Sequence, residues 1–266
     1  MRLIDTHCHL DAAELRENLE QRIAAARLAG VEGFVVPAVS TANFQDVADL
    51  CATYPGCFPA YGIHPMYTDH ATDMDLAALR ERLAHSDAVA IGEIGLDFFI
   101  EPCDRDRQQH FFAEQLKLAR EFDLPVLIHS RRALDAVLML LRRLPVKGGI
   151  AHAFNGSMQQ AQALIGMGFK LGFGGAATHP RATRLQQLAR TLPLSCIALE
   201  TDAPDMRPEF VERGQPNSPE YLPKIAAFLA GLRGMPAEQF AQATTDNALG
   251  VLPGVSCACA GMTGPL

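Results

Sequence analysis

Eight short apolar segments alternate with amphipathic stretches along this chain, and this alternation constrains the fold more than any other feature. The apolar segments predict strands at residues 3–6, 33–36, 58–63, 88–91, 125–128, 149–151, 168–173 and 196–199. Strands that alternate with helices predict a parallel sheet, because parallel neighbours need a crossover connection. Most of the segments are continuous apolar runs, which indicates a sheet that is buried on both faces.

Eight such units in 266 residues, with no linker-like break, predict a single α/β domain with the (β/α)8 TIM-barrel fold. We place this domain at residues 1–252 and expect residues 253–266, which are rich in Gly and Cys, to form a loose tail. An open, doubly wound sheet is the alternative. It is less well supported, because no glycine-rich nucleotide-binding fingerprint follows the first strand.

Side chains that can bind metals follow the predicted strands. In a barrel of this kind the strand ends meet at one mouth, so these side chains are expected to converge there. His7 and His9 are two residues apart, which directs both imidazoles to one side of an extended chain. Five of the nine histidines lie at strand ends, a bias that favours a metal site over scattered core histidines. The converging set is His7, His9, His64, Glu93, His129, His152 and Asp202.

The chemistry of this set indicates a hydrolytic metal centre. Neutral imidazoles and carboxylates suit Zn²⁺, Mn²⁺ or Fe, whereas Mg²⁺ prefers oxygen and would use fewer of the histidines directly. Two ions ~3.5–4 Å apart can clamp the attacking and leaving oxygens of a hydrolytic displacement. We therefore expect two divalent ions (Zn, Mg or Mn), with Glu93 bridging them. Asp202 would touch one ion and accept the proton of the attacking water.

The net charge of −7 and the pI of about 5.7 exclude a protein that holds nucleic acid by bulk positive charge. A phosphodiester substrate would need local attraction, from bound ions and a few arginines. Arg131 is a candidate phosphate clamp, with an ordinary surface position at a helix start as the alternative. Phe98 and Phe99 could stack a base, and packing in the core or in a lid is the alternative for them.

The seven cysteines are odd in number and scattered, which favours a reducing cytoplasm over a disulfide framework. Cys257 and Cys259 form a pair in the predicted tail, which we interpret as free thiols. No apolar run approaches the ~20 residues needed to cross a bilayer, and the N-terminus lacks the pattern of a signal peptide. We expect a cytoplasmic protein without membrane contact, and no obligate protein partner is evident.

Five motifs lie in order along the chain, within a match that covers about residues 3–250. They are Asp5-Thr6-His7-Cys8-His9-Leu10-Asp11, Gly62-Ile63-His64-Pro65, Gly92-Glu93-Ile94-Gly95-Leu96-Asp97, Pro125-Val126-Leu127-Ile128-His129-Ser130-Arg131 and Leu199-Glu200-Thr201-Asp202-Ala203-Pro204. Together they resemble the TatD family of metal-dependent deoxyribonucleases, within the amidohydrolase-like barrels.

The resemblance implies a TIM barrel, a divalent metal centre and hydrolysis of DNA phosphodiesters, which makes DNA the expected substrate. Carried over position by position, it implies as metal ligands His7, His9, Glu93, His129, His152 and Asp202. It further implies that Asp202 is the base and that His64 lies beside the substrate phosphate.

Three places depart from the family pattern. Met66 stands where many members have a further His, and Asn217-Ser218-Pro219 replaces the usual Asn-Glu-Pro. The segment 153–157 reads Ala-Phe-Asn-Gly-Ser where Cys-Phe-Ser-Gly-Ser is usual. These positions belong to substrate-side loops, so they bear on the preferred substrate and remove no proposed ligand.

Three functions compete at this level. The first is a metal-dependent nuclease that cuts DNA from an end or on single strands. The second is a small-molecule hydrolase that cuts an amide, a lactone or a phosphoester in the same site, which the acidic pI favours. The third is a binding or scaffolding protein with a vestigial site, which the complete ligand set opposes.

Overall fold

The computed structural model describes residues 1–255. Eight parallel strands follow one another in the sheet in chain order. Their bounds are β1 (Leu3–Asp5), β2 (Val31–Pro37), β3 (Cys57–Tyr61), β4 (Ala90–Asp97), β5 (Val126–Arg131), β6 (Gly149–Ala151), β7 (Phe169–Phe173) and β8 (Ile197–Leu199).

The helices lie between the strands and after the last one. They are α1 (Ala13–Arg16), α2 (Leu19–Leu28), α3 (Phe44–Thr53), α4 (Asp73–Ala84), α5 (Arg105–Glu121), α6 (Leu134–Arg143), α7 (Met158–Gly166), α8 (Thr183–Thr191), α9 (Leu222–Leu232) and α10 (Ala237–Val251). Short 3-10 helices cover Thr41–Asn43, Pro65–Tyr67, Gly175–Thr178, Leu194–Cys196 and Pro219–Tyr221.

The first and last strands meet, which closes the sheet into a barrel. The Thr6 N–H donates to the Leu199 carbonyl at 3.0 Å, and the Asp202 N–H donates to the His7 carbonyl at 2.8 Å. The predicted single-domain (β/α)8 TIM barrel is therefore confirmed, and the open doubly wound sheet is excluded.

Alternate strand residues contribute to two apolar clusters. On β5, Val126 and Ile128 belong to the larger cluster, which includes the helices, whereas Leu127 belongs to a smaller one. Successive strand residues point to opposite faces, so the smaller cluster fills the barrel interior. We call it the interior cluster; its buried members are Ile4, Val35, Phe58, Ala60, Val89, Ala90, Leu127, Ile150, Ala198, Ala248, Leu252 and Val255.

The C-terminal segment covers the bottom of the barrel, where the strands begin. Thr245 Oγ1 donates to the Arg2 carbonyl at 2.8 Å, just before β1. Leu252 and Val255 are fully buried in the interior cluster, beyond the end of α10. The predicted domain boundary at residue 252 stays a prediction, and residues 256–266, with Cys257 and Cys259, lie outside the described part of the chain.

Local sequence signals account for the starts of α5 and α7. Asp104 accepts from the Arg107 N–H and Ser157 from the Gln160 N–H, as their positions before α5 and α7 predict. The segment after β1 forms two helices, α1 and α2, and Asp11, which precedes them, does not cap α1. Asp11 instead accepts from the Asn43 amide at 2.8 Å, a longer-range contact that local spacing does not reveal.

Strands β4 and β5 extend further than the apolar segments predicted. After a register irregularity between Ile91 and Ile94, they continue to pair up to Asp97 and Arg131. Glu93 and His129 therefore lie within these strands rather than past their ends. This extra length carries Asp97 and Arg131 into the mouth of the barrel.

The five cysteines among residues 1–255 are free thiols. Over the same residues, no helix has both the length and the apolar composition that a bilayer crossing requires.

Candidate metal centre

The predicted set of seven side chains converges at the mouth of the barrel. We call it the donor cluster: His7, His9, His64, Glu93, His129, His152 and Asp202. It opens into a cleft of about 1150 Å³. The structure thus brings together the side chains that the sequence predicted to converge at the strand ends.

Glu93 occupies the centre of the donor cluster and is 2% exposed. Its Oε1 atom lies 2.9 Å from His129 Nδ1 and 3.5 Å from His64 Nε2. Its Oε2 atom lies 3.2 Å from His7 Nε2 and 3.5 Å from His9 Nε2. Each carboxylate oxygen thus faces its own pair of imidazoles, which is the arrangement expected of a carboxylate between two ions.

Asp202 connects the histidines that follow β1 to the one that follows β6. Asp202 Oδ1 lies 3.8 Å from His7 Nε2 and 3.7 Å from His9 Nε2. Asp202 Oδ2 lies 3.6 Å from His152 Nε2. The two carboxylates of the donor cluster therefore approach the same histidines.

The donor atoms fit divalent cations. Three groups each bring one possible ligand atom per residue within 4.8 Å of the others, namely His7–Glu93–His152, His7–His9–Asp202 and His64–Glu93–His129. Burial lowers the pKa of His7 to about 3, so its imidazole is neutral and its lone pair is available. Neutral imidazoles combined with carboxylates suit zinc and manganese.

The remaining pKa shifts show where positive charge is favoured. Burial opposes charge on His9, but the hydrogen bond and charge of Glu93 outweigh it and raise the pKa of His9 to about 9. Burial is likewise outweighed at His152, where the charges of Asp202 and Glu200 raise the pKa to about 10. The negative charge of the carboxylates thus favours positive charge in the donor cluster, which bound protons or cations can supply.

Two further buried carboxylates contact histidines of the donor cluster from behind. Asp97 Oδ2 lies 3.0 Å from His129 Nε2, and Glu200 Oε1 lies 3.2 Å from His152 Nδ1. By receiving the Nε2–H of His129, Asp97 fixes the tautomer of that ring and leaves Nδ1 free to bind a cation. Glu200 fits here because residue 172 is Gly; any side chain there would collide with its carboxylate.

A hydrogen-bonded bridge supports the loop that carries Asp202. Asp5 accepts from the Thr201 N–H at 2.9 Å and from the Thr201 hydroxyl at 2.5 Å. Asp202 itself has a φ of +58°, a left-handed conformation that costs roughly 1–2 kcal/mol for a residue with a Cβ. Its own N–H bond to His7 and the Asp5–Thr201 bridge hold it in that conformation.

Two glutamines of α5 hold the ends of β3 and β4. The Gln115 amide accepts from the Ile63 N–H at 2.7 Å and donates to the Ile63 carbonyl at 3.0 Å. The Gln108 amide makes the same pair of bonds to Asp97, at 2.8 and 3.0 Å. The backbone next to His64 and at Asp97 is thereby fixed by one helix.

Arg131 and the two phenylalanines lie around the donor cluster. Phe98 is partly buried against the core, which agrees with the alternative of core packing rather than base stacking. Phe99 is 42% exposed, and its ring lies 3.6 Å from the Arg131 guanidinium carbon. Both Arg131 and Phe99 line the cleft, and the contact of Arg131 to phosphate stays a prediction.

Asp5, Asp97, Gln108, Gln115 and Glu200 received no role from the sequence. The two glutamines carry a signal, because their seven-residue spacing places them on the buried face of an amphipathic helix. The three acids adjoin predicted strand ends, but nothing in their spacing tells which neighbour each would contact.

The fold and the donor cluster define the class to which this chain belongs, the metal-dependent hydrolases built on a (β/α)8 barrel. The family model described as TatD related DNase matches residues 4–253. The chain belongs to the TatD family, as its five motifs indicate.

Individual relatives agree with this assignment. The chain is 43% identical to the uncharacterized metal-dependent hydrolase YjjV of Escherichia coli K12, over 92% of this chain and 96% of that protein. It is 34% identical to the 3'-5' ssDNA/RNA exonuclease TatD of a Pantoea species, over 92% and 97% of the two chains. The crystal structure of the TatD homologue YjjV superimposes with a TM-score of 0.90 at 41% identity, covering 95% of this chain and 98% of that one.

Proposed function

We propose that this protein is a metal-dependent phosphodiesterase that hydrolyses DNA, acting at ends or on single strands. The observation that carries the proposal is Glu93, whose two oxygens face two separate sets of imidazoles. The exonuclease name of the Pantoea relative supports a nucleic-acid substrate.

The donor cluster would hold two divalent ions, of zinc, magnesium or manganese. The proposed ligands are His7, His9, Glu93, His129, His152 and Asp202. When bound, such ions supply a water of lowered pKa and stabilise charge on the phosphate.

The protein side chains contribute proton transfer and orientation. Asp202 Oδ1 faces His7 and His9, and Oδ2 faces His152, so the carboxylate lies among the proposed ligands, where it would accept the proton of the attacking water. Burial raises the pKa of Asp202 to about 6, which brings it closer to the working range of a general base. His64 Nδ1 accepts from the Met66 N–H, so Nε2, which lies 3.5 Å from Glu93 Oε1, carries the ring hydrogen that would be donated to the substrate phosphate.

The test is hydrolysis of end-labelled single- and double-stranded DNA, with chelator and then with each ion restored. Cleavage that needs metal and is lost in Asp202→Asn is the expected result, and the label shows the direction of cleavage. Asp246→Asn, an exposed change on α10, is the matched control and retains activity. Normal turnover by Asp202→Asn would remove Asp202 as the base.

One observation favours the second candidate, a small-molecule amide, lactone or phosphoester hydrolase. Asp11, Glu14 and Asp46 line the β1–β2 side of the cleft, where they would repel a polyanion. Metal-loaded protein that cleaves no DNA with any ion would favour this candidate.

The cytoplasmic location inferred from the cysteines stays a prediction.

A further inference from the structure

Phe99, Arg131 and Arg132 form a compact group on the β4–β5 side of the cleft, which we call the arginine platform. The Arg131 guanidinium carbon lies 3.6 Å from the centre of the Phe99 ring, and that of Arg132 lies 4.5 Å from it. All three residues line the cleft that contains the donor cluster. One exposed aromatic ring thus holds two cationic side chains together at the substrate entrance.

The arginine platform lacks the partners that the other arginines of the cleft have. Arg16 faces Asp46 at 3.9 Å, and Arg184 donates to the Asn155 side chain. Among residues 1–255, neither Arg131 nor Arg132 forms an ion pair, and Asp97 feels the charge of Arg131 only from beyond ion-pair distance. Their N–H groups are therefore available to an anionic ligand.

The backbone arranges this pair of arginines. Consecutive residues of a strand point to opposite faces, so Arg131 and Arg132 would separate if β5 continued. β5 ends at Arg131, and Arg132 has a φ of +55°, a left-handed conformation that residues with a Cβ seldom adopt. This turn allows both side chains to reach the same ring.

Asp97 connects the arginine platform to the donor cluster. Its Oδ1 atom accepts from the Phe99 N–H at 2.9 Å, and its Oδ2 atom lies 3.0 Å from His129 Nε2. The backbone that carries the platform ring and a candidate metal ligand are therefore held by one buried carboxylate.

We propose that the arginine platform is a second phosphate-binding subsite, which takes a phosphate next to the one being cleaved. Guanidinium groups bind phosphate oxygens in a bidentate manner, and stacking on Phe99 leaves their N–H edges free. The preferred substrate then carries at least two phosphates, as an oligonucleotide or an end-phosphorylated nucleotide ester does. The inference rests on the proposed phosphodiesterase function and narrows its substrate.

The two sides of the cleft carry opposite charges, which determines the side on which a bound polyanion lies. The platform presents two unpaired cations at β4–β5, whereas Asp11, Glu14 and Asp46 lie on the β1–β2 side. A polyanion that extends from the donor cluster is therefore directed over β4–β5.

The test compares p-nitrophenyl esters of thymidine 3′-phosphate and of thymidine 5′-phosphate, each with and without a phosphate on the other hydroxyl. In at least one isomer the added phosphate should raise kcat/KM about tenfold, the effect of one charge-assisted contact. Arg132→Gln and Arg131→Gln should reduce this preference ratio. Phe99→Leu, which removes the ring but keeps the apolar bulk, should reduce it as well.

Arg105→Gln is the matched control, because Arg105 stacks on Phe98 at 4.8 Å outside the cleft. It should keep the preference ratio of the wild type. Hydrolysis of all four esters without any preference for the added phosphate would overturn the subsite and leave the phosphodiesterase proposal standing.

Failure to hydrolyse any ester with any ion would instead count against the proposed function. The subsite is then tested by binding: the affinity for a labelled short oligothymidylate is measured by fluorescence anisotropy, with protein from which a chelator has removed the metal. Arg132→Gln should weaken binding and reduce the slope of log affinity against log salt by about 0.7, the value of one phosphate contact. No binding, or equal slopes for Arg132→Gln and the wild type, would overturn the subsite.

Discussion

The two ends of this barrel are built by the same strands and have opposite chemistry. On β5, Leu127 is fully buried in the interior cluster, and His129, two residues further, belongs to the donor cluster. On β6 and beyond, Ile150 and His152 show the same relation. Two residues that follow each other on the same face of a strand thus lie in the apolar interior and in the donor cluster.

The difference between the ends separates stability from chemistry. The bottom is apolar and covered by Leu252 and Val255, so its burial contributes free energy of folding. The mouth buries Glu93, and the charges and hydrogen bonds of nearby histidines outweigh that burial and hold its pKa well below its usual range. The mouth can be arranged for catalysis because the bottom supplies the stability.

The largest effect is expected at the mouth, for Glu93→Gln. Loss of the central charge should lower kcat by about a hundred- to a thousandfold, the cost of removing one preorganised electrostatic group. Metal analysis per chain should show reduced occupancy, whereas Glu121→Gln on the exposed end of α5 should retain metal and activity. A full metal complement in Glu93→Gln would remove Glu93 from the ligand set.

The next effect is expected in the interior cluster, for Leu127→Ala. The cavity should cost about 3 kcal/mol of unfolding free energy, measured by urea denaturation. Leu28→Ala, at a 92% exposed position, should change little. Activity per folded molecule should be unchanged for both. A loss of activity in Leu127→Ala beyond its loss of folded protein would show that the two ends are not separate.

A smaller effect is expected for Asp97→Asn, which alters the support of His129 but not the proposed ligands. Metal affinity, measured by competition with a chelator, should fall about 10- to 100-fold, since a buried carboxylate no longer orients the imidazole. Asp104→Asn is the control, because Asn caps α5 as well as Asp does. Equal affinities for both variants would limit Asp97 to holding the backbone of Phe99.

The smallest effect is expected for Val255→Ala at the bottom. Two buried carbons are removed, so the unfolding free energy should fall by about 1.5 kcal/mol, without loss of activity. Met74→Ala, at a position 77% exposed, is the control. Unchanged stability in Val255→Ala would favour the domain boundary at residue 252.

Sequence reasoning was most successful where local pattern and chemistry coincide. Apolar runs bounded by polar residues predicted the eight strands, and side chains of the types that can bind metals, such as those of His64 and His152, stood out at their ends. It failed where the contact depends on register between strands. The pairing of Asp97 with His129, and of Phe99 with two arginines, follows from the irregularity in β4 and the turn at Arg132. Neither feature has a pattern that is visible in one sequence.

Gln108 and Gln115 have a consequence for how this chain can vary during evolution. One rigid helix clamps the backbone at Asp97 and Ile63, so the seven-residue distance between the two glutamines is part of the site. One inserted residue would rotate the second glutamine by about 100° and release one strand end. We therefore expect insertions and deletions among relatives to be tolerated in the loops and rejected between Gln108 and Gln115.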